Sequence, residues 1–86
     1  MWVCYILRCA DKTLYCGITN DLTKRLVAHN AGEGAKYTRG RTPVRLVWRE
    51  SCADKSAALK REMQIKSLTR AKKRELIRLT AALKNR

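Results

Sequence analysis

Acidic side chains are scarce in this sequence: 7 Asp and Glu stand against 20 Lys and Arg, a net charge of +13 on a 9.9 kDa chain. Self-repulsion of that size is tolerated where the partner is a polyanion, which places nucleic acid first among partners. No apolar run approaches the roughly 20 residues that a bilayer-spanning helix needs, so membrane spanning is excluded. Met1-Trp2-Val3 runs into a strand pattern with no basic leader or small-residue cleavage site, so a signal peptide is not expected and a cytoplasmic location is. There is no Cys-x-x-Cys pair, and the lone histidine is not spaced to complete a zinc site. Cys4, Cys9, Cys16 and Cys52 therefore read as reduced thiols, three of them small apolar fillers in or beside strands. No repeat, linker or low-complexity segment divides the chain. Residues 1–86 form one domain with a modest core and no room for a deep enclosed pocket, so any site must be shallow and surface-built.

What the chain does have is a hairpin. Val3 to Leu7 is apolar on both alternating faces, the pattern of a strand covered on both sides, while Leu14, Cys16 and Ile18 alternate with Thr13, Tyr15, Gly17 and Thr19. The polar stretch Asp11-Lys12 joins them. Thr19-Asn20-Asp21 supplies N-caps for a helix from about Asp21 to Asn30, which exits through Ala31-Gly32. Residues 32–42 hold three glycines and no periodicity and read as a mobile loop. A third strand is expected from Pro43 to about Glu50, with Val44, Leu46 and Trp48 on one face and Arg45, Val47 and Arg49 on the other. Asp54 caps a helix to about Ser67, and Thr69 caps a last one reaching about Leu83, with Leu76, Leu79, Thr80 and Leu83 as its buried stripe. The order β-β-α-β-α-α, with too few strands for a parallel sheet, gives an α+β fold: a small three-stranded, mainly antiparallel sheet flanked by helices, the doubly apolar first strand central.

Charge and chemistry concentrate in particular places. Residues 55–86 carry 11 basic and 2 acidic side chains and residues 1–54 carry 9 and 5, so the C-terminal helices hold most of the excess. They lack the bulky aromatics of an interfacial helix, which favours nucleic acid over lipid, and Lys72, Lys73 and Arg74 are the residues expected to meet it. In the loop, Lys36, Tyr37, Arg39 and Arg41 suit backbone tracking and base stacking. Arg25 and His29 are four apart on the first helix, along one flank of the Leu22 and Leu26 stripe, a geometry able to address one phosphate. Glu62, four after Ala58 and three before Ile65, turns toward the apolar side of its helix; an inward carboxylate needs a partner, either Lys66 one turn on or a metal. A shared site for Tyr5 and Tyr15 requires both on one sheet face, hence an odd-length loop or a bulge between Cys9 and Lys12.

Cys4-Tyr5-Ile6 and Tyr15-Cys16-Gly17, followed by Arg25 eight residues past Gly17, His29 one turn later and Glu62 far downstream, resemble the GIY-YIG nuclease family over nearly the whole chain, in particular its small stand-alone members. The resemblance implies a metal-dependent endonuclease that hydrolyses phosphodiester bonds, with DNA ahead of RNA. It implies that Glu62 holds one Mg²⁺ or Mn²⁺, that Arg25 clamps the phosphate, and that Tyr5 takes the proton of the attacking water once nearby cations lower its pKa. Tyr15 and His29 would complete the proton network or hold the phosphate, and Gly17 would let the backbone come close. The chain carries Ile18 where several members have lysine, and its last helix has no asparagine before Asn85. A non-catalytic nucleic-acid-binding accessory protein on the same scaffold is the alternative, and a protein partner supplying specificity fits either reading.

Overall fold

Strand β1 (Trp2–Arg8) is buried on both faces from Val3 to Leu7 and occupies the centre of a three-stranded antiparallel sheet of order β2-β1-β3, with β2 (Leu14–Thr19) and β3 (Arg45–Cys52) at the edges. The computed structural model describes residues 1–84, with side chains as far as Ala81; Leu83 of the expected stripe lies outside the described side chains. Helices α1 (Leu22–Asn30), α2 (Lys55–Lys66) and α3 (Arg70–Lys84) complete the order β-β-α-β-α-α. Each starts where the sequence supplies a cap. Asp21 Oδ1 accepts from the Lys24 N–H at 3.1 Å, Asp54 Oδ1 from Ala57 at 2.8 Å, and Thr69 Oγ1 from Lys72 at 3.2 Å.

The hairpin turn decides which side chains meet. Cys9 N–H donates to Thr13 O and Lys12 N–H to Cys9 O, both at 2.9 Å, leaving Ala10, Asp11 and Lys12 as a loop of odd length. Lys12 takes the left-handed conformation (φ 69°) that closes such a loop. Tyr5 therefore faces Gly17 and Leu7 faces Tyr15, so both tyrosines project from one face of the sheet.

That face carries Val3, Tyr5 and Leu7, with Cys9 and Val44, and is covered by Leu22 and Leu26 of α1. The opposite face carries Cys4, Ile6, Cys16 and Trp48 beneath Ile65 of α2 and Leu76 and Ile77 of α3. Fully burying side chains such as Ile6, Leu7 and Ile65 contributes about 1.5–3 kcal/mol each.

The structure corrects three expectations. First, β3 begins at Arg45, and a bulge shifts its register: Ile6 pairs with Trp48 but Leu7 with Leu46, leaving Val47 extra. The bulge sends Leu46 to the α1 face and Trp48 to the other, so the regular alternation of Val44, Leu46 and Trp48 does not hold. Second, Leu79 is 54% exposed; Ile77, with Leu76, supplies the apolar contact of α3 instead. Third, the loop of residues 32–42 is pinned at points along its length, for Thr38 Oγ1 lies 2.8 Å from His29 Nδ1 and Ala10 N–H donates to Arg41 O at 2.8 Å.

Candidate active site

Leu22, Leu26 and His29 recur at spacings of four and three, so α1, laid on β1 by its two leucines, brings His29 over Tyr5. His29 ends the buried stripe instead of lying along its flank, and it is completely buried. The Tyr5 hydroxyl lies 3.0 Å from His29 Nε2, and His29 Nδ1 lies 2.8 Å from Thr38 Oγ1. Thr38, itself fully buried, has one hydroxyl proton, and that proton is directed to Ala35 O at 2.9 Å. The shorter contacts are best met with Thr38 accepting from Nδ1–H, the Ala35 N–H that also points at Nδ1 being the longer and weaker contact at 3.5 Å. Assigned from this network, the neutral ring carries its proton on Nδ1 and presents the Nε2 lone pair to the Tyr5 O–H.

Burial pushes the Tyr5 hydroxyl above its ordinary pKa, and the neighbouring Arg25 guanidinium only partly opposes this. The expected lowering of the Tyr5 pKa is thus not the state of the ligand-free site, because the desolvation of a phenolate outweighs one half-buried cation. Burial, reinforced by Arg25, also lowers the His29 pKa. With both ring nitrogens occupied and no exposure, His29 cannot hold a phosphate; of its two expected roles, the proton network remains.

Two glycines make this arrangement possible. A Cβ on Gly17 would stand 2.7 Å from the Tyr5 hydroxyl and 3.0 Å from the Tyr15 ring, and one on Gly34 would stand 2.3 Å from His29 Nδ1. Tyr15 packs edge-on against His29, with centroids 5.4 Å apart, and its other side stacks on Tyr37 at 5.8 Å. Arg41 covers Tyr37 at 4.5 Å, pairs with Asp11 at the hairpin tip and donates through Nε to Tyr37 O at 2.8 Å. Of the four loop residues expected to meet nucleic acid, Tyr37 and Arg41 are therefore engaged within the chain, while Lys36 and Arg39 are exposed. On α3, Lys72 and Arg74 are exposed and Lys73 is half-buried.

Glu62 turns inward as its spacing requires, with a side chain 18% exposed. Its helix, however, packs on the sheet face opposite Tyr5, where the Glu62 carboxylate disfavours ionisation of the nearby Cys4 and Cys16 thiols as a minor influence and where Lys66 Nζ stands 3.6 Å from Oε2. Glu62 consequently does not share a sheet face with Tyr5, Tyr15 and His29; the sheet itself lies between the two sides. Cys4 and Cys16 are 3.9 Å apart at sulfur, and all four cysteines are free thiols. Their mutual hydrogen bond raises Cys4 and lowers Cys16.

For a divalent metal the donor set is lean. Among the described residues no three His, Cys, Asp or Glu side chains gather to form a cage. Glu62 is the inward carboxylate, and its 3.6 Å ion pair is loose enough to be exchanged. One carboxylate with water filling the remaining positions fits a hard ion such as Mg²⁺ and does not fit a soft or fully caged metal.

Sequence reasoning missed Thr38 and Asn30. Thr38 sits in an aperiodic loop nine residues from His29, and although the stretch from Gly34 to Thr38 resembles the small members of the family, nothing in it marks the hydroxyl as a partner of the ring. Asn30, the last residue of α1, is exposed but holds the returning chain through its amide, which accepts from Val44 N–H and donates to Val44 O.

The central strand of the small sheet presents a tyrosine to a buried histidine, beside an arginine and an edge-strand tyrosine, the residues that the two-tyrosine hairpin and the helix after it led one to expect together. The chain belongs to the GIY-YIG family: the GIY-YIG catalytic domain matches residues 1–75. A UPF0213 protein of Natronomonas pharaonis is 60% identical over 73 residues, covering 85% of this chain and 86% of its own. A UPF0213 protein of Desulfotalea psychrophila is 51% identical over 78 residues, covering 90% and 71%. The solution NMR structure of a UPF0213 protein from Bacillus halodurans superposes with a TM-score of 0.60 at 44% identity, covering 92% of this chain and 85% of that one. These relatives are likewise small single-domain members.

Proposed function

We propose that this protein hydrolyses phosphodiester bonds of nucleic acid, DNA ahead of RNA, at a site on the Tyr5 face beside the free edge of β2. The observation that carries this reading is the hydrogen-bonded series Tyr5, His29, Thr38 with Arg25 alongside. In the resting site Tyr5 is neutral and cannot take a proton unless it gives one up. With the Tyr5 O–H assigned to the Nε2 lone pair, a water that enters beside Tyr5 on substrate binding, the residue being only 1% exposed in the ligand-free site, passes its proton to the Tyr5 oxygen as the Tyr5 proton moves to His29, and no free phenolate forms. The imidazolium so formed keeps its Nδ1–H on Thr38, and nearby Arg25 raises its energy, which favours return of the proton at the end of the cycle. Arg25 neutralises charge growing on the phosphoryl oxygens through its planar fork. Glu62, reached around the edge of β2, is the residue that would hold one Mg²⁺ or Mn²⁺. Bound there, the ion would supply Lewis-acid stabilisation of the phosphate and the departing oxygen.

Retention of the scaffold as a nucleic-acid-binding accessory protein without turnover is the second reading. It is favoured by Glu62 lying on the other sheet face from Tyr5. The two are separated by incubating the purified protein with duplex, single-stranded and branched DNA and RNA in Mg²⁺, Mn²⁺ or EDTA. Metal-dependent cleavage that disappears in Tyr5→Phe establishes the enzyme; binding with no cleavage of any substrate establishes the binder.

A further inference from the structure

On the sheet face away from His29, the tip of the hairpin and α3 enclose a hollow of about 230 Å³. Arg8, Lys12, Arg74 and Arg78 form its rim, and Leu14, Val47 and Ile77 its floor. None of the rim cations takes part in the three ion pairs found among the described residues; Glu75 lies beside Arg74 and Arg78 in an adjoining depression, and Asp11, next to Lys12 at the hairpin tip, is already paired with Arg41. Four cations converging with so little compensation repel one another unless an anion joins them. The apolar floor is not what a bare phosphate needs, since a phosphate is bound by donors alone. A flat, weakly polar group with a phosphate on either side of it satisfies both halves of the hollow.

The hollow is also connected to the candidate active site. Leu14 is shared with a second, smaller hollow of about 170 Å³ lined by Thr13, Tyr37, Arg70 and Lys73. Tyr37 in turn stacks on Tyr15. Cationic surface thus runs from the tyrosines over the edge of β2 to the α3 hollow. At about 230 Å³ the hollow falls below the ~300 Å³ at which pockets for drug-sized ligands begin, so it takes one unit of a chain.

We infer that this hollow binds a single unstacked nucleotide of the strand that crosses β2, its base on Leu14, Val47 and Ile77 and its flanking phosphates on Arg8, Lys12, Arg74 and Arg78. The inference deepens the nucleic-acid reading of the same surface and rests on it, but not on catalysis. A paired base cannot leave its stack without cost, so the site favours single-stranded or locally unpaired substrate over intact duplex.

The test is fluorescence anisotropy in EDTA, using a short oligodeoxythymidylate and an abasic sugar-phosphate oligomer of equal length. The parent is expected to bind the thymidylate several-fold more tightly. Val47→Phe, which fills the hollow, should erase that preference while leaving abasic binding unchanged. Arg8→Gln with Arg78→Gln, both on exposed residues, should weaken both probes and reduce the slope of log K against log[salt] by about 0.7 for each lost contact on a single strand. Equal affinity of the parent for the two probes overturns the inference, as does a preference that survives Val47→Phe in a protein with parental circular dichroism. Should Val47→Phe not fold, the parental comparison and the double arginine variant decide. A base preference without cleavage on the substrate panel would retain the hollow and remove the nuclease reading; cleavage without a preference would do the reverse.

Discussion

A Cβ added to Gly17 would stand 2.7 Å from the hydroxyl of Tyr5, the residue it faces across the β1–β2 ladder. The glycine is thus the space in which the tyrosine lies. Gly17→Ala must displace either β2 or the Tyr5 ring, with an overpacking cost of about 1–3 kcal/mol. Because the ring is the softer of the two, the Tyr5 to His29 hydrogen bond should break before the fold does. Urea denaturation should show a stable but weakened protein, and cleavage should fall far more than the folded fraction. A variant with parental rate would mean that Tyr5 does not act through its hydroxyl.

Thr38→Val keeps the volume of the side chain and removes the acceptor of the His29 Nδ1–H. A buried donor left without a partner costs about 1–3 kcal/mol. The ring then has reason to move its proton to Nε2, where it would donate to Tyr5 instead of accepting from it. Nitrogen-15 chemical shifts of His29 should report a protonated Nδ1 in the parent and a shift toward the other tautomer in Thr38→Val, with Thr38→Ser restoring the parental pattern. A parental ring protonated on Nε2 would overturn the proton path from Tyr5 to His29.

How much of this site is legible from the residues alone depends on the physical origin of each part. The shared face of Tyr5 and Tyr15 follows from the two-residue period of a strand once the loop is odd, and Lys12 closing it in the left-handed region makes it so. The inward turn of Glu62 follows from helical spacing. Which sheet face its helix covers does not, because an apolar stripe marks the buried side of a helix and carries no label for the surface it meets. Thr38 is invisible for a related reason: its partner is set by where an aperiodic loop crosses α1. The bulge at Val47 leaves the alternation of β3 unmarked, so Leu46 and Trp48 look like neighbours on one face until Leu7 and Ile6 claim them for opposite ones.

His29 also sets a pH dependence. Its pKa in the folded protein is lowered below the ordinary 6.5 by burial and by Arg25. Between the lowered value and 6.5 the unfolded chain holds a proton that the folded one does not, so stability rises with pH across this window. The contribution is complete above the unfolded pKa and is lost as pH falls through the window, with a slope of at most about 1.4 kcal/mol per pH unit for one proton. A histidine ring titration by NMR should place the midpoint below 6.5, and urea midpoints should fall on acidification through the same range. A midpoint at or above 6.5 would contradict the burial of the ring.

Neutralising Lys72, Lys73 and Arg74 together tests whether α3 carries the non-specific affinity. Each lost phosphate contact removes about 0.9 from the slope of log K against log[salt] on duplex DNA. Lys73 and Arg74 line the hollows that adjoin Tyr37 and Arg8, whereas Lys72 lines neither of them. A loss approaching two contacts is therefore expected, equal on all sequences. An unchanged slope would make this side of α3 a solvated face.

Catalysis and affinity separate at Arg25, Glu62 and Tyr5. Arg25→Ala removes one phosphate contact among many, so binding in EDTA should weaken only modestly while the rate collapses, because charge on the phosphoryl oxygens is greatest in the transition state. Glu62→Ala deletes a negative charge facing a polyanion, and should bind as well as the parent or slightly better in EDTA while losing metal-dependent turnover. It also releases Lys66, a loose partner at 3.6 Å whose loss should cost little stability. Tyr5→Phe keeps the packing of β1 but leaves His29 Nε2 without its donor, so it should lose turnover with a stability cost of about 1–3 kcal/mol and no change in affinity. Anisotropy, cleavage and urea denaturation on the three variants distinguish these outcomes. If Glu62→Ala unfolds the protein, or cleaves as the parent does, the carboxylate serves the α2 face of the sheet alone. Any catalysis must then be carried by Tyr5, His29 and Arg25 on the other.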